Sequence, residues 1–287
     1  MTPAMRCDRR TGLVLAAVSL LGLAMFGWPL WINPDAELAH SQDASLMFAG
    51  VLAMLVVVLG AEISRGGIDA KALALLGLLA ALAAALRPLG SGISGFQPMF
   101  VVIILGGRAL GPSFGFSLGL VATFGSALLT GGVGPWLPFQ MLGAAWLGMG
   151  AGLLPRASGR KEIALLAGYS AVAGIAYGFL LNMWFWPFLT AGQEGITFEP
   201  GAPVGENLAR FLAFCLITSL GFDIPRAIGL VALIALAGGP LLRSLRRVAR
   251  RAQFDAQPQF DAEPQLDATT TPPPETEPAS ATGQRID

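Results

Sequence analysis

The chain has 287 residues, 54% hydrophobic and 13% charged, with 18 basic and 18 acidic side chains and a mean hydropathy of +0.64. That composition excludes an ordinary soluble domain, and apolar runs recurring nearly to the end give an all-α, polytopic membrane helix bundle. One histidine, His40, and two distant cysteines, Cys7 and Cys215, argue against a disulfide framework, a histidine-based metal site or a histidine-dependent triad. No metal, cofactor or catalytic residue is expected.

Spans are predicted at about 11–31, 44–62, 72–88, 97–110, 112–130, 137–154, 163–189 and 207–241, from the roughly 20 residues a helix needs to cross. The first, after Arg6, Arg9 and Arg10, could also be a signal peptide. It ends in Trp28, Pro29 and Trp31 with no small-residue cleavage site, so it reads as a retained span. Lys and Arg then fall in alternate loops: Arg65 and Lys71, Arg108, then Arg156, Arg160 and Lys161, and finally Arg243, Arg246, Arg247, Arg250 and Arg251. Loops 32–43, 131–136 and 190–206 have none, and 87–96 has only Arg87. The positive-inside rule predicts a cell-membrane protein with both termini cytoplasmic.

The last run is too long for one straight crossing. "GFDIPR" (221–226) is predicted to break it into a kinked or partly extramembrane element, with Asp223 and Arg226 able to pair there. Residues 1–71 form a two-span N-terminal unit and 72–251 a six-span core. Residues 252–287, acidic and Pro-rich with the imperfect repeat "FDAQPQ FDAEPQ LDA", read as a disordered cytoplasmic tail.

Enzyme signatures are absent. There is no GxxxxGK[ST]. "GISG" (92–95) resembles an intramembrane serine-protease motif, but no histidine follows His40 to activate Ser94, which is read as a loop residue. No acidic pair stands at helical spacing within a span, and few charges are available to relay protons.

Amides and aromatics collect instead on the outer side: Phe96, Gln97 and Met99; Trp136, Phe139 and Gln140; Tyr177, Asn182, Trp184 and Trp186; and Gln193, Glu194, Glu199, Glu206 and Arg210 around the last outer loop. An interfacial belt explains Trp28 and Trp31. Amides at the same depth point to a wet or protein-lined pocket, because an unpaired amide in hydrocarbon costs several kcal/mol. The expected substrate-binding set is Phe96, Gln97, Met99, Trp136, Phe139, Gln140, Asn182, Trp186 and Arg210. A second pattern lies in "ALALLGLLAALAAALR" (72–87), where Gly77, Ala81 and Ala85, and also Ala80 and Ala84, repeat every fourth residue and allow close helix approach. Gly143, Gly148, Gly150 and Gly152 suggest tight packing inside the bundle.

The Ala-rich helix, "PMFVVIILGGRALGPSFGFSLGLVATFGSALLTGG" (98–132) and "GPWLPFQMLGAAWLGMGAGLLP" (134–155) together resemble the substrate-binding S component of an energy-coupling factor (ECF) transporter. The resemblance covers 72–241 and leaves the first two spans additional to a six-helix core. It implies a non-catalytic, membrane-embedded capture subunit of an ATP-driven importer for a vitamin or related micronutrient. Its implied partners are a transmembrane coupling subunit, two ATPase subunits, the solute and membrane lipid, with no nucleic acid. Gly77, Ala80, Ala81, Ala84 and Ala85 would form the face toward the coupling subunit. The GPW-x-PFQM stretch is most similar to members associated with cobalamin-type corrinoids; riboflavin, other vitamins and a queuosine precursor stay open. So do a structural membrane scaffold without ligand and a stand-alone secondary carrier.

Overall fold

A computed structural model describes residues 9–30, 50, 53, 54, 57, 70–90, 92–188 and 195–254. Its helices are α1 (Arg9–Phe26), α2 (Ala70–Leu86), α3 (Met99–Leu110), α4 (Pro112–Thr130), α5 (Leu137–Leu153), α6 (Gly159–Phe185), α7 (Val204–Phe214) and α8 (Leu220–Phe254). Among the described residues there is no strand. Gly50, Ala53, Met54 and Val57 are helical; the rest of the second predicted span, the loop 32–43, Gln193, Glu194 and the tail beyond 254 lie outside the described residues. Four helical stretches, Ala70–Gly90, Pro112–Thr130, Gly159–Phe185 and Val204–Arg250, are long and apolar enough to cross a membrane.

Glycine sets how closely the core helices approach. A Cβ on Gly148 of α5 would lie 2.1 Å from the carbonyl oxygen of Gly115 on α4, and one on Gly107 of α3 would lie 2.0 Å from that of Gly148. Gly119 meets Ala144 in the same way, and Gly152 meets Pro112. Small residues replace a side-chain layer with backbone contact, the usual route to tight packing where lipid gives no hydrophobic drive. Gly111, at φ 106°, makes the turn that lets Pro112 begin α4. Ile103, Ile104, Phe114 and Leu118 fill the centre. Phe26 of α1 packs on Phe139, ring centroids 5.0 Å apart, and so fastens the first helix to α5.

At 221–226 the expected pair of Asp223 and Arg226 forms, but the helix is not interrupted there. The chain is helical from Val204 to Phe254, with the irregularity one turn earlier, as a π-helical stretch at Cys215–Ser219. Pro225 sits inside α8. It has no N–H for the carbonyl four residues back, Gly221, and that oxygen accepts the Ser94 hydroxyl at 3.1 Å. The loop presses in: a Cβ on Gly95, at φ 71°, would lie 1.8 Å from the Phe222 carbonyl oxygen, and the Phe96 ring covers Gly229. Ser94 thus supplies the bond that proline removes, and the helix continues.

At the opposite end Glu162, 3% exposed, accepts from Arg108 Nε at 2.7 Å and from Arg246 at 2.5 and 2.9 Å. Arg108 also donates to the Leu154 and Pro155 carbonyls. One buried carboxylate therefore ties α3, α6, α8 and the α5–α6 connection.

Candidate functional site

α6 and α8 run antiparallel, and polar groups bridge their seam at successive turns. Arg226 donates to the Gly174 carbonyl at 3.1 Å and to Asp223 Oδ1 at 2.6 Å. Its guanidinium lies over the Tyr177 ring, 5.5 Å from the centroid. Gly178 gives Asp223 its place, since a Cβ there would stand 1.9 Å from Oδ1. One turn on, Asn182 Nδ2 donates to Ser219 Oγ at 2.6 Å. Asp223 and Arg226 are 5% and 7% exposed. Ionisable groups within a span are rare and mark solute or ion pathways.

A second cation comes from the end of α2. Arg87 Nη1 donates to Ser126 Oγ at 2.8 Å and Nη2 to Gln140 Oε1 at 3.0 Å. Among the described residues no carboxylate pairs with it. Gln140 and Gly143 share a face of α5, three residues apart, and the Tyr177 ring rests on Gly143. Phe100 meets the same ring edge-on at 4.7 Å. Arg87, Gln140, Tyr177 and Arg226 therefore follow one another across the α2, α5, α6 and α8 ends. Gln97 Oε1 and Arg226 Nε are buried without a hydrogen-bond partner. Native structures leave few such atoms, and each signals strain, water or a missing ligand.

The nine predicted site residues do not gather in one place. Gln140 and Asn182 hold Arg87 and Ser219 in this cluster. Phe96 and Gln97 belong to the loop over α8. Met99 is 2% exposed in the core. Phe139, also 2% exposed, is wedged between Phe26 and Trp184. Trp186 is fully buried, donates to the Ile196 carbonyl at 2.6 Å, meets Phe198 edge-on and packs at a tilt on Phe211. It anchors the 195–203 segment to the end of α6. Trp136 is exposed, its Nε1 on the Gly132 carbonyl at 3.1 Å and its ring over Gly134. Arg210 pairs at the surface with Glu199 and Glu206.

The small-residue stripe divides likewise. Gly77, Ala81 and Ala85 are exposed, and nothing lies within 4 Å of a Cβ on Gly77. Ala80 and Ala84 are 5% and 2% exposed and face the bundle, so they are not part of the open surface. Both registers repeat every four residues, which is why spacing could not separate them. Arg87, the one basic side chain in its loop, was not among the expected site residues, although it bonds to one of them, Gln140.

No curated protein and no solved structure is significantly similar to the chain. The family model for the ECF transporter, substrate-specific component, matches residues 71–237. That range takes in α2 to α6, α7 and the first half of α8, including every group of the buried polar cluster. The chain belongs to the substrate-specific components of ECF transporters: it is a helical, multi-pass membrane subunit that captures solute for an importer whose coupling and ATPase subunits are separate chains.

Proposed function

We propose that the end of the bundle holding Arg87, Gln140, Tyr177 and Arg226 is the solute site, open to the outer side, and that both termini are cytoplasmic. The observation that carries this reading is the unfilled hydrogen-bonding capacity there: Gln97 Oε1 and Arg226 Nε lack partners, and the half-buried Arg87 meets only neutral acceptors. Aromatic walls with a few converging polar groups suit a small molecule. Phe96, Phe100 and Tyr177 supply such walls. The solute is a vitamin or related micronutrient. A cobalamin-like corrinoid is the first candidate, from the GPW-x-PFQM resemblance. Gly77, Ala81 and Ala85 form the face toward the coupling subunit. With ligand bound, the subunit topples in the membrane to deliver it inward, driven by ATP hydrolysis in its partners.

A thermal-shift screen of the purified chain in mild detergent against vitamins, with cobalamin, cobinamide and riboflavin included, tests the site. A ligand binding only the native state raises its stability by mass action. The expected result is a stabilising solute whose shift is lost in Gln140→Ala and Arg87→Gln. No stabilisation of demonstrably folded protein by any member would favour a ligand-free scaffold.

A further inference from the structure

At the end of the bundle away from the solute site, α6 and α8 part to leave a cavity of about 660 Å³. Its walls come from the first turns of α6 and the facing side of α8. On α6 these are Gly159, Arg160, Glu162, Ile163, Ala164 and Ala167; on α8 they are Ala235, Gly239, Leu242, Arg243 and Arg246. The α8 set repeats at three- and four-residue steps, as a single helical face must, and Glu162 enters the lining already held by two arginines. The groove stays open because its walls are small. A Cβ on Gly239 would meet only the far end of Arg243, at 3.8 Å, and Ala164, Ala167 and Ala235 add no bulk beside it.

The walls are also graded. The arginines stand together at the helix ends that bear Glu162. The apolar residues run from there toward mid-bundle, over about 10 Å at 1.5 Å per residue between positions 160 and 167. Charge does not balance at the polar end. Glu162 is shared by Arg108 and Arg246, so one negative charge faces two positive ones. Arg160 and Arg243 are exposed and have no carboxylate partner among the described residues. Arg246 Nε is buried with no acceptor. An apolar trough ending in a surplus of guanidinium matches an amphiphile with an acidic head. Arginine forks suit phosphate in particular.

We propose that this groove is a binding site for an anionic phospholipid, its phosphate held by Arg160, Arg243 and Arg246 and an acyl chain lying along Ile163, Ala167 and Ala235. The site is separate from the solute site and does not depend on the reading of that site. Lipid bound there would bridge α6 and α8 beside the Glu162 clamp.

The test is native mass spectrometry and thermal shift on the full chain in mild detergent. The probes are phosphatidylglycerol, phosphatidylcholine with the same acyl chains, glycerol 3-phosphate and inorganic phosphate. Arg160→Gln/Arg243→Gln removes groove charges outside the Glu162 clamp. Arg156→Gln/Arg247→Gln removes the same charge from exposed positions that do not line the groove. The expected result is retention of phosphatidylglycerol over phosphatidylcholine, falling at least tenfold in the groove variant and less than twofold in the control. Equal retention of the two lipids, equal losses in the two variants, or equal stabilisation by the water-soluble phosphates would each overturn the proposal.

Discussion

Asp223→Asn should be far more damaging than its size suggests. The substitution keeps the side chain's shape beside Gly178 and removes only its charge. Asp223 and Arg226 are 7% and 8% exposed at the side chain and 2.6 Å apart, so Arg226 would be left buried beside neutral groups. Removing one partner of a buried pair costs about 3–5 kcal/mol, because the survivor's desolvation is no longer offset. That is roughly 150- to 4,000-fold in the folded-to-unfolded ratio at about 1.4 kcal/mol per decade. Replacing both, as Asp223→Asn/Arg226→Leu, removes the stranded charge and should restore more than half of the loss. The assay is a double-mutant cycle by reversible unfolding in mixed detergent micelles, with circular dichroism as readout. A loss below about 1 kcal/mol for Asp223→Asn, or strict additivity in the double variant, would refute the claim that the pair is held as a buried, mutually dependent unit.

Three further outcomes follow from particular contacts. Ser94→Ala should cost about 0.5–1.5 kcal/mol, the net worth of one hydrogen bond, and almost nothing in a Pro225→Ala background, where the helix supplies its own N–H to Gly221; equal losses in both backgrounds would contradict the capping role. Gly148→Ala should destabilise by about 1–3 kcal/mol through overpacking against Gly115, or roughly 2–12 °C in the unfolding midpoint, while Gly77→Ala, which meets nothing, should not lower it. Ala81→Leu should abolish co-purification with the coupling subunit and leave thermal stability unchanged; retained co-purification would remove the 77–81–85 stripe from that interface.

The helices were legible because apolar runs of about 20 residues leave few alternatives in a membrane. The internal glycines were legible too: Gly143, Gly148, Gly150 and Gly152 each meet a neighbouring backbone or tyrosine ring. The course of the last helix was not. Pro225 signals a break when only its own helix is considered, and Ser94, 127 positions away in sequence from the Gly221 it bonds, is invisible to local rules. The partners of the amides were hidden from local rules in a related way. Gln140 and Asn182 stand where polar residues were expected, yet their partners are Arg87 and Ser219. The same holds for Phe139 and Trp186, whose aromatic character suits a pocket wall and a packed anchor equally. Their burial against Phe26, and against Phe198 and Phe211, follows from tertiary placement.

Transport in reconstituted vesicles tests the central claim most directly. The chain would be placed in proteoliposomes alone, and together with its coupling and ATPase subunits, with a radiolabelled form of the solute found by thermal shift outside and ATP or a non-hydrolysable analogue inside. The account predicts binding by the chain alone, and accumulation only with the partners and hydrolysable ATP. Accumulation by the chain alone, driven by an ion or proton gradient, would contradict it.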